Sequence, residues 1–203
     1  MPDPELFLDR LRPSIETHLL ARFVKPEPEQ TLLEAGCGNG YISLYLAFTF
    51  PGIRQITALD LNQTALEEAQ VTRTRFQQQF TAPLAPIHFE QQDIRTFSAS
   101  CPYDLMVCNP PFFPQHASRP SPDPQRQQAR QDITLTTEEL FSAAQRLVKP
   151  QASLYLVFPS CQLEICQSLA EKFLFQIIRW NHHPEIRKRN GGIHLVQFTR
   201  RKE

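Results

Sequence analysis

At 203 residues, with 41% apolar side chains and a formal net charge of zero, the chain has the size of one domain and enough apolar material for a packed core. A zero balance gives no overall pull towards nucleic acid, and no apolar run reaches the ~18 residues of a membrane span. The start, Met1-Pro2-Asp3-Pro4-Glu5, has no basic region ahead of an apolar stretch, so the expectation is a cytoplasmic protein without an export signal or membrane partner.

Between residues 5 and 23, Leu8, Leu11, Ile15, Leu19 and Phe23 fall at roughly helical spacing, and Pro13 splits the segment. Residues 1–30 read as an N-terminal helical extension. A stiff Pro26-Glu27-Pro28-Glu29 linker joins it to one domain at 31–203. Residues 31–34 predict a short strand, and Gly36-Cys37-Gly38-Asn39-Gly40 turns the chain into a helix over 41–48. A second strand at 55–60 ends on Asp60, and Asn62 is a good cap for a helix reaching about Phe80. A weak strand at 87–90 precedes Asp93, and an apolar strand at 103–108 runs into Asn109-Pro110-Pro111-Phe112. Residues 114–131 are rich in Pro, Gln and Arg, the composition of a long binding loop. Thr136-Thr137-Glu138-Glu139 is a capping box for a helix to about Val148. A strand at 153–158, a helix at 163–173 and strands at 175–180 and 193–199 complete the chain. Strands alternating with helices predict an α/β fold with a doubly wound, mostly parallel, seven-stranded sheet. The last two strands lack a helix between them and are expected as antiparallel neighbours at one edge.

Five cysteines (Cys37, Cys101, Cys108, Cys161, Cys166) include no Cys-x-x-Cys pair, so free, mostly buried thiols and no metal are expected. Residues 185–203 hold six cations against two acids, a basic end that could face RNA or be a solvated tail. His182 and His183 adjoin Arg187, Lys188 and Arg189, as a phosphate patch or a solvated turn.

In a doubly wound sheet, ligands bind beyond the carboxyl ends of strands where the strand order reverses. The glycine turn after the first strand allows close backbone approach, but its Gly-x-Gly-x-Gly spacing, with Tyr41 where a dinucleotide site has Gly or Ala, argues against NAD and FAD. No Gly-Lys-Ser/Thr follows, which argues against a phosphate loop. Asp60 stands 20 residues beyond Gly40, where an acid accepts from both hydroxyls of a ribose. Asp93 can accept from an adenine amino group, and Glu34 can pair with the amino group of an amino acid. Together these describe a nucleoside that bears an amino acid and no phosphates. Asn109-Pro110-Pro111 is stiff, because proline fixes its own φ and restricts the residue before it. The corner offers two acceptors, Asn109 Oδ1 and the Pro110 carbonyl, beside the flat ring of Phe112. It suits a planar group with an NH2, or is a simple proline turn.

Leu33-Glu34-Ala35-Gly36-Cys37-Gly38-Asn39-Gly40, Asp60, Asp93 and Asn109-Pro110-Pro111-Phe112 together resemble the motifs of class I S-adenosylmethionine-dependent methyltransferases. The resemblance implies S-adenosyl-L-methionine as cofactor. It implies Glu34, Gly36, Gly38, Gly40, Asp60, Leu61, Asp93, Ile94 and Asn109 as the residues that bind it. Asn109, Pro110 and Phe112 are the implied catalytic group. In this fold the first and fourth strands are neighbours at the switch point, which puts Asn109 against the transferred methyl. The acceptor is a planar amino group: adenine N6, guanine N2 or a glutamine amide. Arg126-Gln127-Gln128-Ala129-Arg130, with Leu135 and the Glu138 helix, is similar to the tRNA adenine-N6 methyltransferases of valine tRNA. That narrower likeness implies an RNA partner, tRNA first, with Pro111, Phe113, Arg126 and Arg130 facing substrate, or with one or both arginines pinning the loop to Asp123, Asp132 or Glu138. Left open are a guanine-N2 enzyme of ribosomal RNA, a protein glutamine methyltransferase, and a protein that only binds the cofactor.

Overall fold

The computed structural model describes residues 4–110, 135–186 and 191–202. The Pro/Gln/Arg-rich loop lies outside the described residues, as do Pro111, Phe112, Phe113, Arg126, Arg130, Arg187, Lys188 and Arg189.

Two helices open the chain, α1 (Pro4–Asp9) and α2 (Ile15–Phe23), with the break at Pro13. Ser14 caps α2 by accepting from Thr17 N. Strand β1 (Thr31–Ala35) is followed by α3 (Tyr41–Thr49), and β2 (Gln55–Asp60) by α4 (Gln63–Gln79). Asn62 caps α4, its Oδ1 taking the amides of Thr64 and Ala65. Next come β3 (Ile87–Gln91) and β4 (Tyr103–Cys108). The capping box of Thr136 and Glu139 opens α5 (Thr137–Leu147). Strand β5 (Val148–Pro159), a 3-10 turn (Ser160–Gln162), α6 (Leu163–Lys172), β6 (Phe175–His183) and β7 (Ile193–Arg200) complete the described fold.

The seven strands form one sheet in the order β3-β2-β1-β4-β5-β7-β6. Strands β1 to β5 are parallel, and β7 is antiparallel to both β5 and β6. The final two strands are thus antiparallel neighbours at one edge, with β7 slotted inside and β6 outermost. A short connection without a helix can only return antiparallel.

Alternate residues of the central strands feed two cores. Leu32, Leu105, Val107 and Val157 pack under α1 to α4, while Leu33, Met106, Leu154 and Phe158 pack under α5 and α6. Both faces are covered, which is why these strands read as unbroken apolar runs. Leu8, Leu20, Phe23 and Val24 of the N-terminal helices join the first core.

Two strands run further than their sequence suggests. Val148 pairs with Tyr103 before the register shifts to Leu105 against Ser153, so β5 starts five residues ahead of Ser153. Strand β6 continues to His183 because His182 lies opposite His194 and stacks on it at 4.5 Å.

The register places the site. Ala35 pairs with both Leu59 and Cys108, so Gly36, Asp60 and Asn109 leave the carboxyl edge side by side on β1, β2 and β4. Neighbouring strands are ~4.8 Å apart. This is the switch point, where chain leaving β1 and chain leaving β4 diverge and open a crevice.

Candidate active site

A cleft of about 250 Å³ opens at that crevice. Gly36, Asp60, Leu61, Asp93, Ile94, Asn109 and Pro110 line it, so the structure brings seven of the expected residues to one place. Glu34, Gly38 and Gly40 are not among its lining residues.

The glycine turn is built by backbone need. Gly36, Gly38 and Gly40 all have positive φ, which costs glycine nothing. A Cβ on Gly40 would stand 2.9 Å from Ala69 Cβ and 3.1 Å from the Phe89 ring, so α3 can start this close to α4 only on a glycine. A Cβ on Gly36 would meet nothing within 4 Å. There the missing side chain leaves open space against bare backbone.

Asp60 holds this turn. Its Oδ2 accepts from Gly38 N at 2.7 Å and its Oδ1 from Asn62 N at 2.8 Å. Each carboxylate oxygen has a second lone pair, so two further donors can be taken from the cleft side. Asp93 receives Arg95 in a forked pair, Nε and a terminal nitrogen donating at 2.9 and 2.6 Å to Oδ2. The Arg95 hydrogen bond holds the Asp93 carboxyl below its ordinary range.

Glu34 points into the protein. It is 2% exposed and accepts from the Ser43 hydroxyl on α3. Burial pushes its carboxyl up to about 8, so at neutral pH it is mostly the uncharged acid. Cys37 and Cys108 are likewise raised by burial, with Cys108 forming part of the cleft wall.

Asn109 directly follows β4, half-buried, and its Nδ2 donates to Thr17 Oγ1 of α2 at 2.7 Å. Among the described residues, no group of three or more His, Cys, Asp or Glu is arranged to hold a metal ion.

Several supporting residues carried no signal in the sequence. Arg146 of α5 donates to the carbonyls of Ile94, Arg95 and Phe97, and so fixes the backbone after β3 that forms one cleft wall. Gln92, Arg95 and Leu135 also line the cleft. An arginine at the end of a helix reads as a dipole partner or surface charge, and its three backbone acceptors, about 50 residues away, appear only in the fold.

The lining suits a cationic nucleoside better than a phosphate ester. Two carboxylates face the cleft, and its one cation among the described residues, Arg95, is bound to Asp93. Leu61 and Ile94 give apolar walls, Asp60 offers acceptors for hydroxyls, and Gly36 leaves room at the backbone. S-adenosylmethionine has these features: a sulfonium, a ribose, a flat base and no phosphate. Fold and cleft together have the form of an S-adenosylmethionine-dependent methyltransferase.

Comparison with known proteins narrows the class. The model of the methyltransferase small domain family matches residues 11–177, and the chain belongs to that family. A tRNA1(Val) (adenine(37)-N6)-methyltransferase of Proteus mirabilis is 33% identical over 144 residues, which are 70% of this chain and 54% of the relative. One of the same name from Porphyromonas gingivalis is 32% identical over 135 residues, 66% of this chain and 52% of the relative. The chain therefore spans about half the length of the curated relatives it matches. A methyltransferase structure from Pyrococcus furiosus superposes with a TM-score of 0.65 at 13% identity, over 93% of this chain and 83% of that one, which shows the shared fold.

Proposed function

We propose that the protein transfers a methyl group from S-adenosylmethionine to an exocyclic amino nitrogen of a base in RNA, adenine N6 in tRNA. The observation that carries this reading is the meeting of Asn109 and Pro110 with Gly36 and Asp60 in one cleft. The name shared by the two relatives favours adenine N6 over guanine N2 or a glutamine amide.

Asp60 accepts from the ribose hydroxyls, while Asp93 and the backbone at Ile94 hold the adenine. Gly36 gives the backbone close approach. Glu34, Gly38 and Gly40 act through the shape of the turn. Bound there, the cofactor supplies an electrophilic methyl on a sulfonium.

The amino nitrogen of a base is a weak nucleophile, since its lone pair is shared with the ring. Asn109 Oδ1 and the Pro110 carbonyl each accept one of its N–H groups. This turns the lone pair out of the ring plane and stabilises the positive charge that would grow on nitrogen as the N–C bond forms and the methyl–sulfur bond breaks, its electron pair leaving with sulfur as a neutral thioether. One N–H proton is then lost to water, since an amide oxygen is too weak a base to keep it. Orientation supplies much of the remaining rate. Phe112 is assigned the base face on its place in the motif alone, and Pro111, Phe113, Arg126 and Arg130 the surrounding RNA. The target base must be flipped out or unpaired to enter.

Tritiated cofactor with total tRNA, followed by nucleoside analysis, tests the reading. N6-methyladenosine is expected. N2-methylguanosine would redirect it to guanine, and label in protein would sink it.

A further inference from the structure

The N-terminal segment is tied to both chemical motifs. The Leu11 carbonyl, between α1 and α2, accepts from Asn39 Nδ2 of the glycine turn at 3.3 Å. Thr17 Oγ1, on α2, accepts from Asn109 Nδ2 at 2.7 Å, across 92 residues of chain. The second contact is short, half-buried, and made to the residue on which the transfer chemistry rests.

A carboxamide is flat, and its two ends have nearly the same shape but opposite hydrogen-bonding sense. An incoming amino group brings N–H donors. Facing Oδ1 it finds an acceptor; facing Nδ2 it finds another donor and no bond. Something must therefore choose which end of Asn109 is left for the substrate. Thr17 is placed to do it. Its hydroxyl lies 3.0 Å from Ser14 Oγ, a contact in which either oxygen can donate; when Thr17 gives the proton, only its lone pairs are left for Asn109. A lone pair binds Nδ2 and rejects Oδ1. Among the described residues, the Asn109 side chain makes no other hydrogen bond.

We propose that Thr17 is a positioning residue of the transfer: it holds the Asn109 carboxamide by an N–H and so leaves Oδ1 for the amino group of the acceptor. The inference rests on the amino-group reading of the site. It makes α2 part of the active site, and Ser14, through the shared hydroxyl bond, the anchor of Thr17. The bond from Asn39 to the Leu11 carbonyl ties the segment between α1 and α2 to the cofactor turn as well. The two motifs are then braced by one segment outside the sheet.

Two substitutions separate positioning from packing. Thr17→Val keeps the shape and removes the hydroxyl; Thr17→Ser keeps the hydroxyl and removes the methyl. With saturating cofactor and tRNA, Thr17→Val should lower kcat roughly tenfold, the loss of one hydrogen bond's worth of alignment. The cofactor Kd and the tRNA KM should stay within about twofold. Thr17→Ser should recover most of kcat. A second readout does not need turnover: the ¹⁵N-labelled side-chain amide of Asn109, assigned by its loss in Asn109→Ala. One of its two protons should be downfield and slow to exchange in the wild type and in Thr17→Ser, and ordinary in Thr17→Val. Wild-type kcat in Thr17→Val, or an equal loss in both variants, would overturn the inference while leaving the amino-group reading in place. So would an amide signal indifferent to Thr17. A wild-type protein that labels no RNA would overturn the reading itself and the proposed role of Thr17 with it.

Discussion

A single buried carboxyl illustrates how much the position of one side chain decides. Glu34 was expected to face a ligand, since it stands just before the glycine turn. In the fold it turns inward to Ser43, and burial raises it to about 8 from an ordinary 4.5. The folded protein then holds a proton that the unfolded chain releases. Stability from this group is full below 4.5 and is lost as pH rises to about 8. His18 and His194, both lowered by burial, act in the opposite sense but only below their ordinary 6.5. Between pH 6.5 and 8 the Glu34 effect therefore stands alone among the described residues with a shifted carboxyl or imidazole. Urea unfolding across that window should show stability falling with pH, at up to ~1.4 kcal/mol per unit, the limit for one proton. Glu34→Gln should remove the slope; an unchanged slope would show that Glu34 is ionised in the fold. The inward turn was not legible in the sequence, because Ser43 approaches only when α3 packs on β1. By contrast, Asn109 was legible: two prolines stiffen the corner whatever surrounds it, and a strand leads into it.

At the scale of elements, the unbroken apolar runs of the central strands and the caps at Asn62 and Thr136 made most boundaries readable. The exceptions came from partners distant in sequence. The end of β6 depends on the stacking of His182 on His194, and the start of β5 on the pairing of Val148 with Tyr103. The same kind of distance hides the brace from α5 to the cleft wall. Arg146 satisfies three carbonyls after β3, two of them at 3.0 and 3.2 Å. Removing it should loosen the wall proposed to hold the cofactor's base without opening either core. Arg146→Ala is expected to raise the Kd for S-adenosylmethionine about tenfold by calorimetry. Because Arg146 is an exposed residue outside both cores, the melting temperature should drop by only a few degrees. A large loss of stability with unchanged affinity would show that the brace serves the fold and not the cleft.

Across the whole molecule, the sheet order brings the glycine turn, both acids and the Asn109 corner to one edge. The opposite edge carries the clamp. Asp104 accepts from Thr31 N and Oγ1 at 2.8 and 2.9 Å and from Lys149 at 2.5 Å, and so ties the starts of β1, β4 and β5. The order of the central strands was accessible only through family resemblance; composition and periodicity give elements but not neighbours. Once formed, the cleft should bind one kind of ligand. At a hundred times its Kd, S-adenosylmethionine should add about 2.7 kcal/mol to stability, which is roughly a 5–10 °C rise in melting temperature for a chain of this size. NAD and ATP should give no rise, because the carboxylates oppose phosphates and the cleft's arginine is already bound to Asp93. A rise with ATP matching that with S-adenosylmethionine would contradict the account of the cleft.

The central claim is that the Asn109 corner presents acceptors to an amino group of an RNA base beside a bound methyl donor. It is tested most directly by tritium transfer from S-adenosylmethionine to total tRNA, read as labelled nucleosides, with wild-type protein and Asn109→Ala side by side. The account predicts N6-methyladenosine from the wild type and a loss of about 10²–10³-fold in the variant, with cofactor affinity within a few-fold of the wild type. Undiminished transfer by Asn109→Ala would contradict it.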